Sequence, residues 1–180
     1  MNLDFQISTV LDRLSRVQAA LRRAEGLTDA QVAVLGYLAQ ANRFSRSPSA
    51  VADYLATTRG TASQTLKSLA EKGLMQEHAL PEDKRLRRYD LTETGQQLAN
   101  RFAATQPYGP PDQAANLLAA LRSVLRTSLT ALGGRSFGLC RSCAHHHSQD
   151  GSPYCALLAL PLAPHEAEQL CQDHAELERW

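Results

Sequence analysis

A chain of 180 residues, 43% of them apolar, has room for one hydrophobic core, or one core with a small appendix. Its formal net charge is +1, so a surface for a polyanion must be a local concentration of cations rather than a property of the whole chain. No apolar run is long enough for a membrane-spanning helix, and MNLDFQISTVLDRLSRV lacks the layout of a signal peptide, so the expectation is a cytoplasmic protein.

Ile7, Val10, Leu11, Leu14, Val17 and Leu21 recur at helical spacing as far as Gly26. They predict an N-terminal helix whose single apolar stripe needs cover, from the chain's own core or from a partner subunit. In LTDAQVAVLGYLAQ, Thr28 and Gln31 form a capping box, Leu27 and Val32 occupy the staple positions, and Val32, Leu35 and Leu38 supply a buried face. Ser47 then caps a short helix with Pro48 at its first position. Thr58 caps the next helix, which runs to Gly73. That helix turns Ala62, Leu66, Leu69 and Ala70 inward and Arg59, Thr61, Ser63, Gln64 and Lys67 outward.

LMQEHAL and RRYDLT read as two short strands around the basic tip PEDKRL, and Thr92 caps a further helix, LTETGQQLANRF. Pro107, Gly109, Pro110 and Pro111 break the chain before a long helix that ends at Gly133 and Gly134. Its stripe is Leu117, Leu118, Leu121, Val124, Leu125, Leu129 and Leu132. The order is mainly α, of the α+β class: a winged helix-turn-helix (helix-turn-helix about 47–73, wing about 74–92) between two long helices. Residues 1–132 form this unit and 133–180 an extension.

A helix that enters the major groove needs side chains able to donate to base edges and phosphates, and a wing needs cations at a tight turn. Arg59, Thr61, Ser63, Gln64 and Lys67 meet the first need; Lys84, Arg85, Arg87 and Arg88 meet the second. Residues 59–88 hold seven Lys/Arg against four Asp/Glu, whereas 140–180 hold two against six, so positive charge is concentrated where phosphate would lie.

The stretches LTDAQVAVLGYLA, SPSAVADYLATTRGTASQTLKSLAEKGLM and PEDKRLRRYDLTETGQQL resemble the MarR family of bacterial transcription regulators. With its flanking helices the resemblance spans about 3–132. It implies a homodimer with interlocked N- and C-terminal helices, a recognition helix at 59–72, and double-stranded DNA operators of pseudo-palindromic form. It also implies that Arg85 enters the minor groove and that Asp83 orients it. Many members of the family bind small aromatic effectors, but the 4 Phe, 5 Tyr and 1 Trp mark no ligand cage, so an effector site is not located.

All four cysteines and five of the six histidines lie in the last 41 residues. The pattern is Cys140-x2-Cys143, Cys155, then Cys171-x2-His174. In a reducing compartment this favours metal ligands over a disulfide, although a thiol redox switch would use the same residues. The metal set is Cys140, Cys143, Cys155 and Cys171, with His174 as the alternative fourth ligand. Four-thiolate or three-thiolate zinc fits these residue types, and so does an iron–sulfur cluster. The apolar neighbours Phe137, Leu139, Tyr154, Leu157 and Leu158 would shield a cluster. His145, His146 and His147 read as solvated loop residues, and His78 and His165 as surface residues. No acid stands in an H-x-E or HExxH relation to the ligands, and a centre closed by four cysteines leaves no position for substrate, so the chain is not expected to be an enzyme. The expected function is a transcriptional regulator, acting as a repressor, with a metal or redox-sensing tail. The alternative is a regulator with structural zinc that answers to a small molecule.

Overall fold

A computed structural model describes residues 2–22, 26–79, 87–104, 108–149 and 151–176. The chain runs through α1 (Leu3–Arg22), α2 (Asp29–Gln40), a 3-10 turn (Arg43–Ser45), α3 (Pro48–Tyr54) and α4 (Arg59–Glu71). The antiparallel wing strands β1 (Met75–Ala79) and β2 (Arg87–Leu91) follow, then α5 (Glu93–Ala104) and α6 (Pro111–Leu132). The predicted wing tip, with Asp83, Lys84 and Arg85, lies outside the described residues.

Local chemistry sets the helix starts. The Thr28 hydroxyl accepts the Gln31 amide at 3.2 Å while the Gln31 side chain accepts the Thr28 amide at 3.0 Å. Ser47 caps α3 by accepting the Ala50 amide at 3.1 Å, and Thr58 caps α4 by accepting the Thr61 amide at 3.1 Å. The core forms where α2 crosses α3, α4 and α5. Leu35, Leu38, Val34, Tyr37, Val51, Leu66 and Leu69 are fully buried there, and Leu98 and Ala99 close it from α5.

The start of α5 is tied to the end of α4. The Thr92 hydroxyl donates to the Gly73 carbonyl at 2.9 Å and accepts the Gly95 amide at 3.1 Å. Gly95 stands so close to this turn that a Cβ on it would collide with the Leu74 carbonyl oxygen. The obstacle is backbone, which cannot swing aside, so Gly95→Ala is expected to destabilise the fold by about 3 kcal/mol or more. Urea unfolding of both proteins measures this; a midpoint within error of wild type would refute it.

At the base of the wing, the Arg46 guanidinium donates to Asp90 at 2.7 Å and Arg88 reaches the same carboxylate at 3.0 Å. Burial pushes the Asp90 carboxyl up, but these two cations outweigh it and hold the group below its ordinary value.

Beyond α6 the chain builds small sheets. β3 (Gly138–Leu139) pairs with β7 (Leu170–Cys171), and β4 (His146–Gln149), β5 (Ser152–Cys155) and β6 (Leu160–Pro161) form a three-stranded meander. The extension is docked on the winged helix rather than hanging free. Phe137 presents its ring edge-on to Tyr54 and Tyr37 at centroid distances of 5.3 and 5.7 Å. It does so from a left-handed backbone, φ +46°, a conformation that costs a non-glycine residue about 1 kcal/mol and is held here by the ring contacts. Arg135 bridges Asp53 and Asp173, Arg43 meets the buried Glu166 at 3.4 Å, and Arg126 of α6 meets Glu176 at 3.0 Å.

The stripes of α1 and α6 are not covered by the chain's own core. Ile7, Val10, Leu11, Leu14 and Val17 are exposed, as are Leu117, Leu118, Leu121, Val124, Leu125 and Leu132; Leu129 is half-buried. α6 contributes no buried residue at all. The chain exposes 11987 Å2 for a mass of 19.7 kDa, against about 8600 Å2 for a compact chain of that size.

Candidate DNA-contact face and cysteine centre

The outer face of α4 is composed as the sequence predicts. Ala62, Leu66 and Leu69 are buried, while Arg59, Thr61, Ser63, Gln64 and Lys67 are all exposed. The Thr61 hydroxyl is engaged with Thr58 at 2.9 Å, which fixes the first turn. Lys67 stands 3.9 Å from Glu71, an exposed pair that gives way easily to phosphate. Arg59, Ser63 and Gln64 have no side-chain partner among the described residues.

The wing strands pair Met75 with Leu91 through to Ala79 with Arg87. Two of the four basic residues nominated here are already occupied. Arg87 meets Glu77 at 2.6 Å and Arg88 meets Asp90, so each must exchange an acid for phosphate to contact DNA. His78 lies on the same strand pair, 3.6 Å from Asp90, so it is a half-exposed neighbour of the Asp90 cluster rather than an isolated surface residue.

The four cysteines are free thiols, and three of them, Cys140, Cys143 and Cys171, are buried. Burial, with nearby Cys171, Cys143, Cys155 and Glu166 acting in the same direction, pushes the Cys140 thiol up to about 11. Cys140 therefore lies within the field of each of the other three. Donors are also aimed at them: the Ala175 amide donates to Cys143 Sγ at 3.4 Å. Burial holds the Cys171 thiol above its usual range, against the opposing pull of the Asp173 backbone and the Asn42 and Ser45 side chains. Among the described residues, no three or more Cys, His, Asp or Glu side chains already stand around one point as ligands. The thiols are neighbours rather than a closed cage.

His174 is placed otherwise. Its Nε2 lies 3.1 Å from the Ser142 hydroxyl and its Nδ1 3.4 Å from Ser136, so both ring nitrogens are engaged. Of the two candidates for the fourth position, Cys171 is the one beside Cys140. Leu157 and Leu158 are exposed and shield nothing; the buried apolar neighbour is Leu162. Within the histidine run, His147 is exposed and stacks at a tilt on Tyr154, but His146 begins β4 and its Nε2 is buried without a hydrogen-bond partner. The sequence places His146 in a solvated run and gives no sign that Glu166 is buried.

The cysteine region and the wing meet on one short segment, residues 41–46, which the sequence gives no reason to single out. On one side the Asn42 amide donates to the Leu170 carbonyl at 2.9 Å, and the Gln172 amide donates to the Ser45 hydroxyl at 2.9 Å. On the other, the Tyr89 amide of β2 donates to the Arg46 carbonyl at 2.9 Å, beside the Arg46–Asp90 pair. Ser47, which caps α3, follows directly.

Residues 25–86 match the model of the MarR family. No curated protein matches the chain. Among solved structures, a complex of MepR from Staphylococcus aureus with DNA is similar at TM-score 0.55 and 18% identity, covering 73% of this chain and 96% of that one. MepR alone, a transcription regulator of the S. aureus multidrug efflux pump MepA, is similar at TM-score 0.54 and 18% identity, covering 73% and 99%. Wild-type apo MarR from E. coli is similar at TM-score 0.54 and 22% identity, covering 69% and 98%. At these identities the likeness is one of fold. These MarR-fold chains are matched over nearly their whole length, while more than a quarter of this chain finds no counterpart in them.

An open groove of about 830 Å3 separates α6 from the extension, lined by Leu121, Leu125, Arg126, Arg135 and Phe137 among others.

Proposed function

We propose that the chain is a homodimeric, sequence-specific DNA-binding transcriptional repressor whose four cysteines hold an iron–sulfur cluster or a zinc ion and report its redox or metal state to the winged helix. MarR-family proteins are non-enzymatic regulators, and the chain is read the same way. Support for DNA binding comes from the polar, exposed face of α4 on a fold that MepR presents to DNA. Support for the centre comes from the donor set, four free thiols with Cys140 near the other three and the Ala175 amide turned to Cys143 Sγ, as thiolate ligands require. Support for a dimer comes from the two exposed apolar stripes and the excess surface, which is of the size that obligate interfaces bury.

The observation that carries the sensing function is the segment at 41–46. Leu170 and Gln172, which flank Cys171, bond to Asn42 and Ser45, and Arg46 holds the wing strand β2. Loss or oxidation of the centre would free Cys171 and loosen one side of that segment, altering the placement of α3 and the wing without passing through α6.

Anaerobically purified protein, the same protein after exposure to air, and metal-stripped protein are titrated with DNA from the gene's own promoter region. The loaded form is expected to differ from the other two by about tenfold or more in Kd, about 1.4 kcal/mol. Equal affinity in all three forms refutes sensing. A brown solution with broad visible absorbance identifies iron–sulfur, and a colourless one with stoichiometric zinc identifies zinc. Ser45→Ala removes the hydroxyl that accepts the Gln172 amide and leaves the Asn42 cap of the Arg43–Ser45 turn in place. It is expected to retain the metal and to bind DNA equally in the loaded and stripped forms; an undiminished difference between those forms would reject this route. The second reading, a small-molecule effector with structural zinc, is favoured by the groove beside α6, whose apolar floor and arginines suit an amphipathic anion.

A further inference from the structure

A buried hydrogen-bonding atom with no partner costs about 1–3 kcal/mol, and such atoms in native folds have a reason. His146 Nε2 is the one that stands out among the described residues. Three observations place it. The His146 amide donates to the Cys143 carbonyl at 3.0 Å, one turn after the Cys143 amide donates to the Cys140 carbonyl at 3.0 Å, so His146 closes the Cys140–Cys143 turn. In the β4–β5 ladder His146 lies directly opposite Cys155. The adjacent pair is hydrogen-bonded, the Ala156 amide donating to the His145 carbonyl at 2.8 Å. By the alternation of an antiparallel ladder, His146 and Cys155 are then a non-hydrogen-bonded pair, in which the side chains share one face and approach most closely.

Backbone bonds on one side and strand register on the other thus place His146 next to the Cys140–Cys143 turn and across from Cys155. What it lacks is an acceptor, and protonated thiols are poor ones. Thiolates holding a metal are strong anionic acceptors. The partner that Nε2 lacks in the free-thiol chain would come into being when the cysteines are loaded.

Resting on the metal-centre reading above, we propose that His146 is a positioning residue of the cysteine centre, its Nε2–H donating to the Cys155 sulfur once that sulfur is a thiolate. The four cysteines supply the ligands, and His146 draws charge from one of them. It would tighten metal binding and, for a redox-active centre, raise its potential.

Reduced, metal-free, full-length protein is titrated anaerobically with Co2+, whose thiolate-to-metal charge-transfer and d–d bands report ligand type whichever metal is native. Wild type, His146→Leu, His146→Gln and Cys140→Ser are compared. Leucine removes the donor and keeps the bulk; glutamine places an N–H close to the position of Nε2. Wild type, H146L and H146Q are expected to bind one Co2+ with the bands of four sulfur ligands. The charge-transfer band of H146L should move to lower energy and its affinity fall about tenfold or more, the range seen when an outer-shell partner is removed. H146Q should restore both. Unchanged band and affinity in H146L overturns the proposal. So does a wild-type spectrum of three sulfurs and one nitrogen that changes in H146L, because His146 would then be a ligand. Failure of wild type to bind Co2+ at all, with C140S indistinguishable from it, refutes the metal centre itself, and the role of His146 falls with it.

Discussion

Replacing Cys140 with serine is expected to abolish metal binding and to release the extension while leaving the winged helix folded. Cys140 is 5% exposed and stands near all three of the other cysteines, so its thiol is the one that joins the set. A serine hydroxyl does not ionise at neutral pH and is a poor ligand for zinc or iron. The loss reaches beyond one ligand. Residues 133–176 contribute few buried apolar side chains, among them Leu162, and their strands are two to four residues long. On the metal-centre reading, bound metal would add the principal side-chain tie between β3, the Cys140–Ser142 turn and β7 to their backbone pairing. At thousandfold saturation a ligand of the folded state stabilises it by about 4 kcal/mol, or on the order of 10 °C in Tm for a chain of this size. Metal analysis should fall from one centre per chain to none. Hydrogen exchange should accelerate at Ala144 and Ala175, which bond across the extension, while Leu35, Leu66 and Leu69 on α2 and α4 keep their protection. A variant that keeps its metal and its melting temperature would remove Cys140 from the centre.

The sequence resolves whatever is decided locally. Thr28 with Gln31, Ser47 with Pro48, Thr58 and Thr92 each signal a helix start within four residues, and each cap forms. The polar face of α4 is legible because a helix separates its faces by period alone. Other features depend on partners far along the chain. The bond from Gln172 to Ser45 spans 127 positions, and nothing near either residue announces it. The strands of the extension are too short for alternation to register, so His145, His146 and His147 read as solvated loop although all of β4 pairs with β5. His146 shows the consequence. In AHHH it has the look of a solvated run, but its burial is set by pairing with Cys155, nine positions on, and by the Cys140–Cys143 turn. Leu157 and Leu158 illustrate the reverse, apolar by composition yet exposed. The stripes of α1 and α6 were readable as stripes; what covers them is not written in either helix.

That cover yields the second large effect. Leu121→Glu is expected to convert a dimer into monomers. Leu121 sits mid-way along α6, in a stripe with Leu118, Val124 and Leu125, on a helix of which no residue is buried within the chain. A free helix of this kind would leave several leucines in water, each worth about 1.5–3 kcal/mol when buried. A twofold interface uses the same patch on both chains, so one substitution introduces two carboxylates. Each loses a leucine's burial and must be desolvated without a partner. A combined cost of about 5 kcal/mol weakens dimerisation on the order of several thousandfold. Light scattering at micromolar concentration should report about 39 kDa for wild type, twice 19.7 kDa, and 19.7 kDa for the variant. A monomer carries one recognition helix, so the slope of log Kd for DNA against log salt should fall to about half, as half the phosphate contacts are lost. Metal loading should not change, because all four cysteines lie on one chain. That invariance separates loss of the dimer from loss of the fold. A variant that still runs at the dimer mass would mean that the subunits meet elsewhere and that the stripe of α6 is covered by something other than a second copy.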